Sequence, residues 1–170
     1  MANGYARIMP EFWSGATGIE IKKRGKDARI LAMYVLTCKY SSPTGLYNIP
    51  LPLLSHETGL NLEEVRRAFD ELSMIGFAYY DDDSECVYVP AMAHYQFGPT
   101  MSDGDKRKRW VVSEASKMRL LPFYGHWFER YVEPYNLPKT LTPQGQQKPL
   151  TKPLQSNPEV PSGKVMEPLF

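Results

Sequence analysis

The stretch 51–76 leaves this chain the fewest ways to fold. It reads Leu-Pro-Leu-Leu-Ser-His-Glu-Thr-Gly-Leu-Asn-Leu-Glu-Glu-Val-Arg-Arg-Ala-Phe-Asp-Glu-Leu-Ser-Met-Ile-Gly. Pro50 and Pro52 are tolerable only in the first turn of a helix, where amide hydrogens have no helical partner, so a helix is predicted over 50–58. Gly59 ends it, because glycine alone enters the left-handed region without penalty. Asn61 then caps a second helix, and Glu64, three residues on, completes a capping box. Leu62, Val65, Phe69 and Leu72 fall on one face of that helix, which stops at Gly76, while Glu63, Glu64, Arg66, Arg67, Asp70 and Glu71 lie mainly on the other. Leu60 is placed to plug the angle between the two helices. A glycine elbow, an apolar plug and apolar positions at Val65 and Leu72 are what a packed helix-turn-helix requires.

The flanks extend this unit. Asp27 is a good helix start, and Ile30, Leu31, Tyr34 and Val35 share a face, so an apolar helix is predicted over 27–38. A turn at 41–45 leads to a short strand at 46–49. Two aromatic and β-branched runs, 77–80 and 85–89, flank the polar turn Asp81-Asp82-Asp83-Ser84 and read as a β-hairpin. A helix-turn-helix followed directly by a hairpin is a winged helix-turn-helix. Residues 7–13 read as a leading strand or extended arm interrupted by Pro10, and Gly25 turns the basic cluster at 22–26. A short helix follows the hairpin at 90–97. The expected fold is therefore mainly α with a small β-hairpin: a winged-helix domain over 1–98, a basic helical extension over 99–133, and a tail over 134–170. Within the extension, helices are predicted from Ser102 or Asp103 to Met118 and over 123–131. The tail is rich in Pro, Gln, Lys and Thr and poor in aromatics, so disorder is expected there.

With 42% hydrophobic and 23% charged residues, the chain can build a core of ordinary kind. The net charge of +1 gives no global argument for nucleic acid. Its distribution is more informative: residues 1–98 hold 9 basic and 12 acidic groups, net −3, whereas 99–133 and 134–170 are each net +2. Cys38 and Cys86 are too few for a disulfide framework or a metal site and read as small buried thiols in a reducing compartment. No secretory signal is recognisable over 1–13 and no apolar run approaches the length of a membrane span, so a cytoplasmic protein with no membrane partner is expected. No catalytic constellation stands out. His56, His94 and His126 lack paired ligand spacing, no glycine-rich phosphate loop is present, and Asp81-Asp82-Asp83 reads as a solvated turn. No enzyme activity, cofactor or metal is expected.

Three groups of residues can meet phosphate. Arg66 and Arg67 lie on the second helix of the helix-turn-helix, where a guanidinium can bond two acceptors at once. Lys22, Lys23, Arg24 and Lys26 precede the first helix of the unit. Lys106, Arg107, Lys108 and Arg109 adjoin Trp110, an aromatic that could stack on a base. Against this, a groove-entering helix that opens on Glu63-Glu64 beside an acidic turn is poorly charged for duplex reading. Pairing of Arg66 and Arg67 with Glu63, Asp70 and Glu71 is the competing structural role.

Several pieces together resemble a known family: Phe12-Trp13-Ser14-Gly15, Ala32-Met33-Tyr34-Val35-Leu36-Thr37, Gly45-Leu46-Tyr47, the helix-turn-helix, and Val87-Tyr88-Val89 followed by Ala93-His94-Tyr95-Gln96. Over about residues 5–98 the chain resembles phage and prophage replication proteins with a DnaD-like N-terminal winged-helix domain. That resemblance implies binding at an origin or to single-stranded DNA, oligomerisation, and help in loading a helicase. The acidic helix start and wing depart from what sequence-specific duplex reading needs. Two further readings stay open: a winged-helix transcription regulator, and a protein-interaction module without DNA contact. In the tail, Lys148-Pro149-Leu150 and Lys152-Pro153-Leu154 repeat, and the end Met166-Glu167-Pro168-Leu169-Phe170 is similar to a sliding-clamp-binding peptide with Met in place of the usual leading Gln. The expected partners are thus DNA, single- or double-stranded; a helicase, helicase loader or sliding clamp; and a second copy of the chain.

Overall fold

A computed structural model describes residues 8–150. The second Lys-Pro-Leu repeat, the apolar end at 166–170 and the first residue of the expected leading arm lie outside the described residues. The chain is mainly helical with a small antiparallel sheet. Its elements are α1 (Glu11–Ser14), α2 (Ala16–Lys23), α3 (Lys26–Thr37), β1 (Leu46–Asn48), α4 (Leu51–Thr58), α5 (Leu62–Met74), β2 (Tyr79–Asp81), β3 (Cys86–Tyr88), α6 (Met92–Phe97), α7 (Lys108–Met118) and α8 (Tyr124–Tyr131), followed by a 3-10 turn at Lys139–Leu141.

The α4–α5 corner forms as its residues dictate. Gly59 takes φ +74 at the end of α4. The Asn61 side chain accepts from the Glu64 amide at 2.9 Å, and Glu64 accepts from the Asn61 amide at 2.8 Å. Leu60 is buried in the corner beside Val65, Phe69 and Leu72. α3 packs along α5 and against α4, so that Leu31, Ala32, Val35, Leu54, Val65 and Leu72 share one core.

The hairpin is part of a larger sheet. β1, which arrives between α3 and α4, pairs with β3, giving three strands in the order β1-β3-β2. Leu46 faces Tyr88 and Asn48 faces Cys86, while Tyr79 faces Tyr88 on the other side of β3. Because side chains alternate along a strand, the sheet has two faces. Tyr47 and Val87 point into the α3–α5 core, where Tyr80 also stacks on Phe69 at 4.9 Å. Leu46, Tyr79, Cys86 and Tyr88 point the other way, into a second core built by Val111, Ala115, Phe123, Tyr124, Trp127 and Tyr131. Both cysteines are buried free thiols, and burial pushes the Cys86 thiol up to about 12.

Four expectations need correction. The leading arm is helical: Pro10, at φ −54, sits where a helix starts and its missing amide costs nothing, and burial of Phe12 and Ile21 fixes α1 and α2 against α3. α3 starts at Lys26 with Gly25 in the capping position, so Asp27 makes no cap bond and contributes only a first-turn charge. α7 starts at Lys108 and not near Ser102, because the Asp105 carboxylate closes a local turn onto the Arg107 amide at 2.9 Å. Residues 134–150 are ordered packing rather than disordered tail. Tyr135, Leu137 and Leu141 are buried in the second core. The Tyr135 hydroxyl donates to the Gly98 carbonyl at 2.9 Å and the Tyr124 hydroxyl to the Leu141 carbonyl at 2.7 Å. A few apolar anchors among prolines and glutamines suffice, because the aromatic face of α8 is already there to receive them.

Candidate nucleic-acid interface

The residues singled out in the sequence divide between two places. Lys22 and Lys23 end α2, Arg24 follows it, and Lys26 opens α3, so the first cluster forms the α2–α3 turn. Arg24 bridges to α5: its Nη1 donates to Glu71 Oε2 at 3.3 Å and reaches Met74 Sδ at 3.6 Å. Lys23 folds back on Glu20. Lys22 and Lys26 are exposed.

Arg66 and Arg67 project from the exposed face of α5. Arg66 is hydrogen-bonded to Asp82 in the hairpin turn and not to Asp70 on its own helix. Glu64 is occupied as the partner of Asn61 in the capping box of α5, so part of the acidity at the helix start serves the fold. The α2–α3 turn therefore meets α5 near its end, the hairpin turn meets it near Arg66, and the exposed face of α5 lies between.

The second cluster belongs to the layer behind the sheet, whose α7 residues Val111, Ala115 and Met118 pack in the second core. It surrounds an open basin of about 590 Å³ lined by Asp103, Asp105, Lys106, Lys108 and Arg109. Half of its cations are engaged. The Arg107 guanidinium and amide bind Asp105 and hold its carboxyl at about 2, and Lys108 binds Asp103 at 2.5 Å. Lys106 and Arg109 remain exposed. Trp110 is half-buried, packed on Phe97 with ring centres 5.8 Å apart, so a base would have to displace that ring to stack on it. The two basic groups thus belong to elements packed in different cores, the first with the α3–α5 core and the second with the core behind the sheet.

The acidic hairpin turn is more organised than a solvated turn. Asp81 is buried and accepts from the Ser84 amide at 3.0 Å and the Ser84 hydroxyl at 2.5 Å. Lys148 Nζ lies 2.5 Å from Asp81 Oδ1 and from Asp83 Oδ2. Burial of Asp81 favours its neutral acid, but Lys148 and Ser84 outweigh it and hold the carboxyl below its ordinary value. The segment around Lys148 is itself fastened, with Gln147 accepting from the Gly125 amide at 2.6 Å and the Lys148 carbonyl meeting His126 Nε2 at 3.1 Å. Sequence reading missed Lys148 and the Arg66–Asp82 pair because both join residues far apart in the chain, and no local spacing announces them.

A small apolar cavity of about 100 Å³ lies between Leu36, Phe77, Val89 and Met92; its lining carries no charged group. Among the described residues no His, Cys, Asp and Glu side chains gather as a metal site, and no helix is long and apolar enough to cross a membrane. Set against protein-family models, curated proteins and solved structures, the chain matches none.

Proposed function

We propose that this chain is a DNA-binding replication accessory protein, of replisome-organiser or primosome-like kind, acting through a winged helix and neighbouring basic segments. The winged-helix reading is supported by the order of parts: three packed helices α3, α4 and α5, a strand between the first two, and a β1-β3-β2 sheet whose hairpin turn reaches back to α5. One observation carries the binding reading. Arg66 pairs with the hairpin turn and Arg24 of the cationic α2–α3 turn pairs with Glu71, so both flank α5, whose exposed face carries Arg66 and Arg67. Lys22, Lys23 and Lys26 would contact the phosphate backbone, with Arg66 and Arg67 over the groove or strand. Lys106 and Arg109 form a separate, secondary phosphate contact.

Fluorescence anisotropy on single- and double-stranded oligonucleotides across a salt series tests this. Wild-type affinity should fall steeply with salt, the logarithmic slope reporting about 0.9 per phosphate neutralised on duplex and about 0.7 on single strands. A Lys22/Lys23/Lys26→Gln variant should bind more weakly on every sequence, with a shallower slope. Tight binding to one short duplex alone would favour a transcription regulator. Absence of binding at low salt would favour a protein-interaction module, whose partner is a helicase, a helicase loader, a sliding clamp or a second copy of the chain. The acids Glu63, Asp70 and Asp82 beside the α5 arginines give that reading its specific support, since a mixed-charge face suits a protein partner better than phosphate.

A further inference from the structure

We infer that the hairpin turn is an internal competitor for the DNA backbone, with Asp82 holding Arg66 in place of a phosphate until nucleic acid displaces it. The inference rests on the DNA-binding reading above and adds to it a residue that sets the affinity threshold. Three consecutive carboxylates repel one another unless each finds a cation, and the fold supplies cations unequally. Asp81 is buried, bonded to Ser84 and to Lys148. Asp83 shares the same lysine. Both acids are thereby tied to the segment that crosses behind the turn. Asp82 alone reaches toward α5, and its partner is Arg66. The neighbouring Arg67 is exposed and has no carboxylate partner among the described residues.

The pair has the properties of an exchangeable latch. Both side chains are about half exposed, 52% for Arg66 and 55% for Asp82, so water and salt reach them freely. A carboxylate offers a guanidinium the same two-oxygen acceptor that a phosphate does. Because exposed ion pairs are weak, a polyanion displaces Asp82 at small cost, whereas a single isolated anion gains little by doing so. The competing carboxylate lowers affinity for any single phosphate contact and favours ligands that engage the α2–α3 turn at the same time.

Anisotropy titrations on a 20-base-pair duplex of arbitrary sequence and the matching single strand would test this, with wild type and the variants Asp82→Asn, Asp83→Asn, Arg66→Gln and Arg66→Gln/Asp82→Asn. Asparagine keeps the turn propensity of aspartate, so the fold should persist. Asp82→Asn should bind about two- to five-fold more tightly. Its salt dependence should steepen by up to about 0.9 in logarithmic slope on duplex. Asp83→Asn, which changes the same charge one residue away, should gain less. In the Arg66→Gln background the gain from Asp82→Asn should vanish. An equal gain from Asp83→Asn, or an undiminished gain without Arg66, would reduce the effect to bulk charge and overturn the latch. Salt-sensitive wild-type binding that Asp82→Asn leaves unchanged would refute the latch alone. Failure of every protein to bind at low salt would remove the DNA-binding reading and the latch with it.

Discussion

Asp81 shows how much of a site can rest on one side chain that sequence reading assigns to solvent. Its place in an acidic, turn-forming run argues for hydration, yet the residue ends β2 and its carboxylate closes the turn through Ser84 while receiving Lys148. Replacing it with alanine removes a charged acceptor from the part-buried Ser84 amide and hydroxyl and from Lys148 and should cost about 1–3 kcal/mol by denaturant unfolding at neutral pH. Asp83→Ala, on the exposed side of the same turn, should stay within about 0.5 kcal/mol. The sign of the pH effect follows from a carboxyl held below its ordinary value in the folded state. Its contribution is complete above the usual carboxylate range and is lost as pH falls through that lowered value. The penalty of Asp81→Asn should therefore shrink between pH 7 and pH 3; a constant difference would show that the charge is not what holds the turn. Tyr79 gives the opposite case. Its hydroxyl is buried in the second core without a hydrogen-bond partner among the described residues, so Tyr79→Phe should leave stability unchanged or raise it by about 1 kcal/mol. A loss larger than that would mean the hydroxyl has a partner, such as a trapped water.

At the scale of elements, what was legible is what local chemistry decides. The α4–α5 corner carries its own instructions in Gly59, Asn61 and Glu64, and each takes the conformation its residue type requires. The Gly-Leu-Tyr piece at 45–47 is distinctive in sequence, and its physical reason appears only in the assembled sheet. Gly45 has φ +79, and a Cβ there would lie 2.3 Å from the Val89 carbonyl oxygen and 2.8 Å from Met92 Cβ. Leu46 then enters the second core while the Tyr47 hydroxyl donates to the Val35 carbonyl at 2.6 Å. Two glycine-to-alanine substitutions should separate these roles. At Gly59 nothing lies within 4 Å of an added Cβ, so Gly59→Ala should cost only the left-handed backbone term, about 1–2 kcal/mol. Gly45→Ala adds a clash with backbone and should cost more than about 3 kcal/mol or prevent folding. Equal thermal shifts for the two would remove close packing as the reason for Gly45. α1 and α2 were not legible, since Pro10 beside scattered apolar residues fits an arm as well as a helix, and only burial of Phe12 and Ile21 decides between them.

For the whole molecule, the sheet is a partition with a core on each side, and this changes what a domain boundary near residue 98 can mean. A strand alternation read in isolation cannot say whether its second face is covered, because tyrosine is at home in either setting. Here Tyr79 and Tyr88 are covered by Phe123, Trp127 and the aromatic ladder of α8, which continues through Tyr131 to Tyr135. Hydrogen bonds stitch the halves: Trp127 Nε1 donates to the Thr44 carbonyl at 2.9 Å, and the Tyr131 hydroxyl to the Pro90 carbonyl at 2.7 Å. A fragment of residues 1–98 would keep the α3–α5 core but bare one face of its sheet. Two large aromatic side chains bury about 300–500 Å² between them. At about 25 cal/mol per Å² their exposure forfeits up to about 8–12 kcal/mol, an upper bound that rivals the whole stability of a small domain. The fragment should therefore unfold without a cooperative transition, or associate through the bared face and bind a hydrophobic dye, when followed by calorimetry and size-exclusion chromatography. Residues 1–150 should retain a single sharp transition, while a chain ending at 133, which lacks Tyr135, Leu137 and Leu141, should melt well below it. A monomeric 1–98 fragment with a sharp transition near that of the full chain would show that the second layer is an appendage. The basic basin around Lys106 and Arg109 would then be free to move relative to α5, and its separation from the first cationic group would cease to be fixed by the fold.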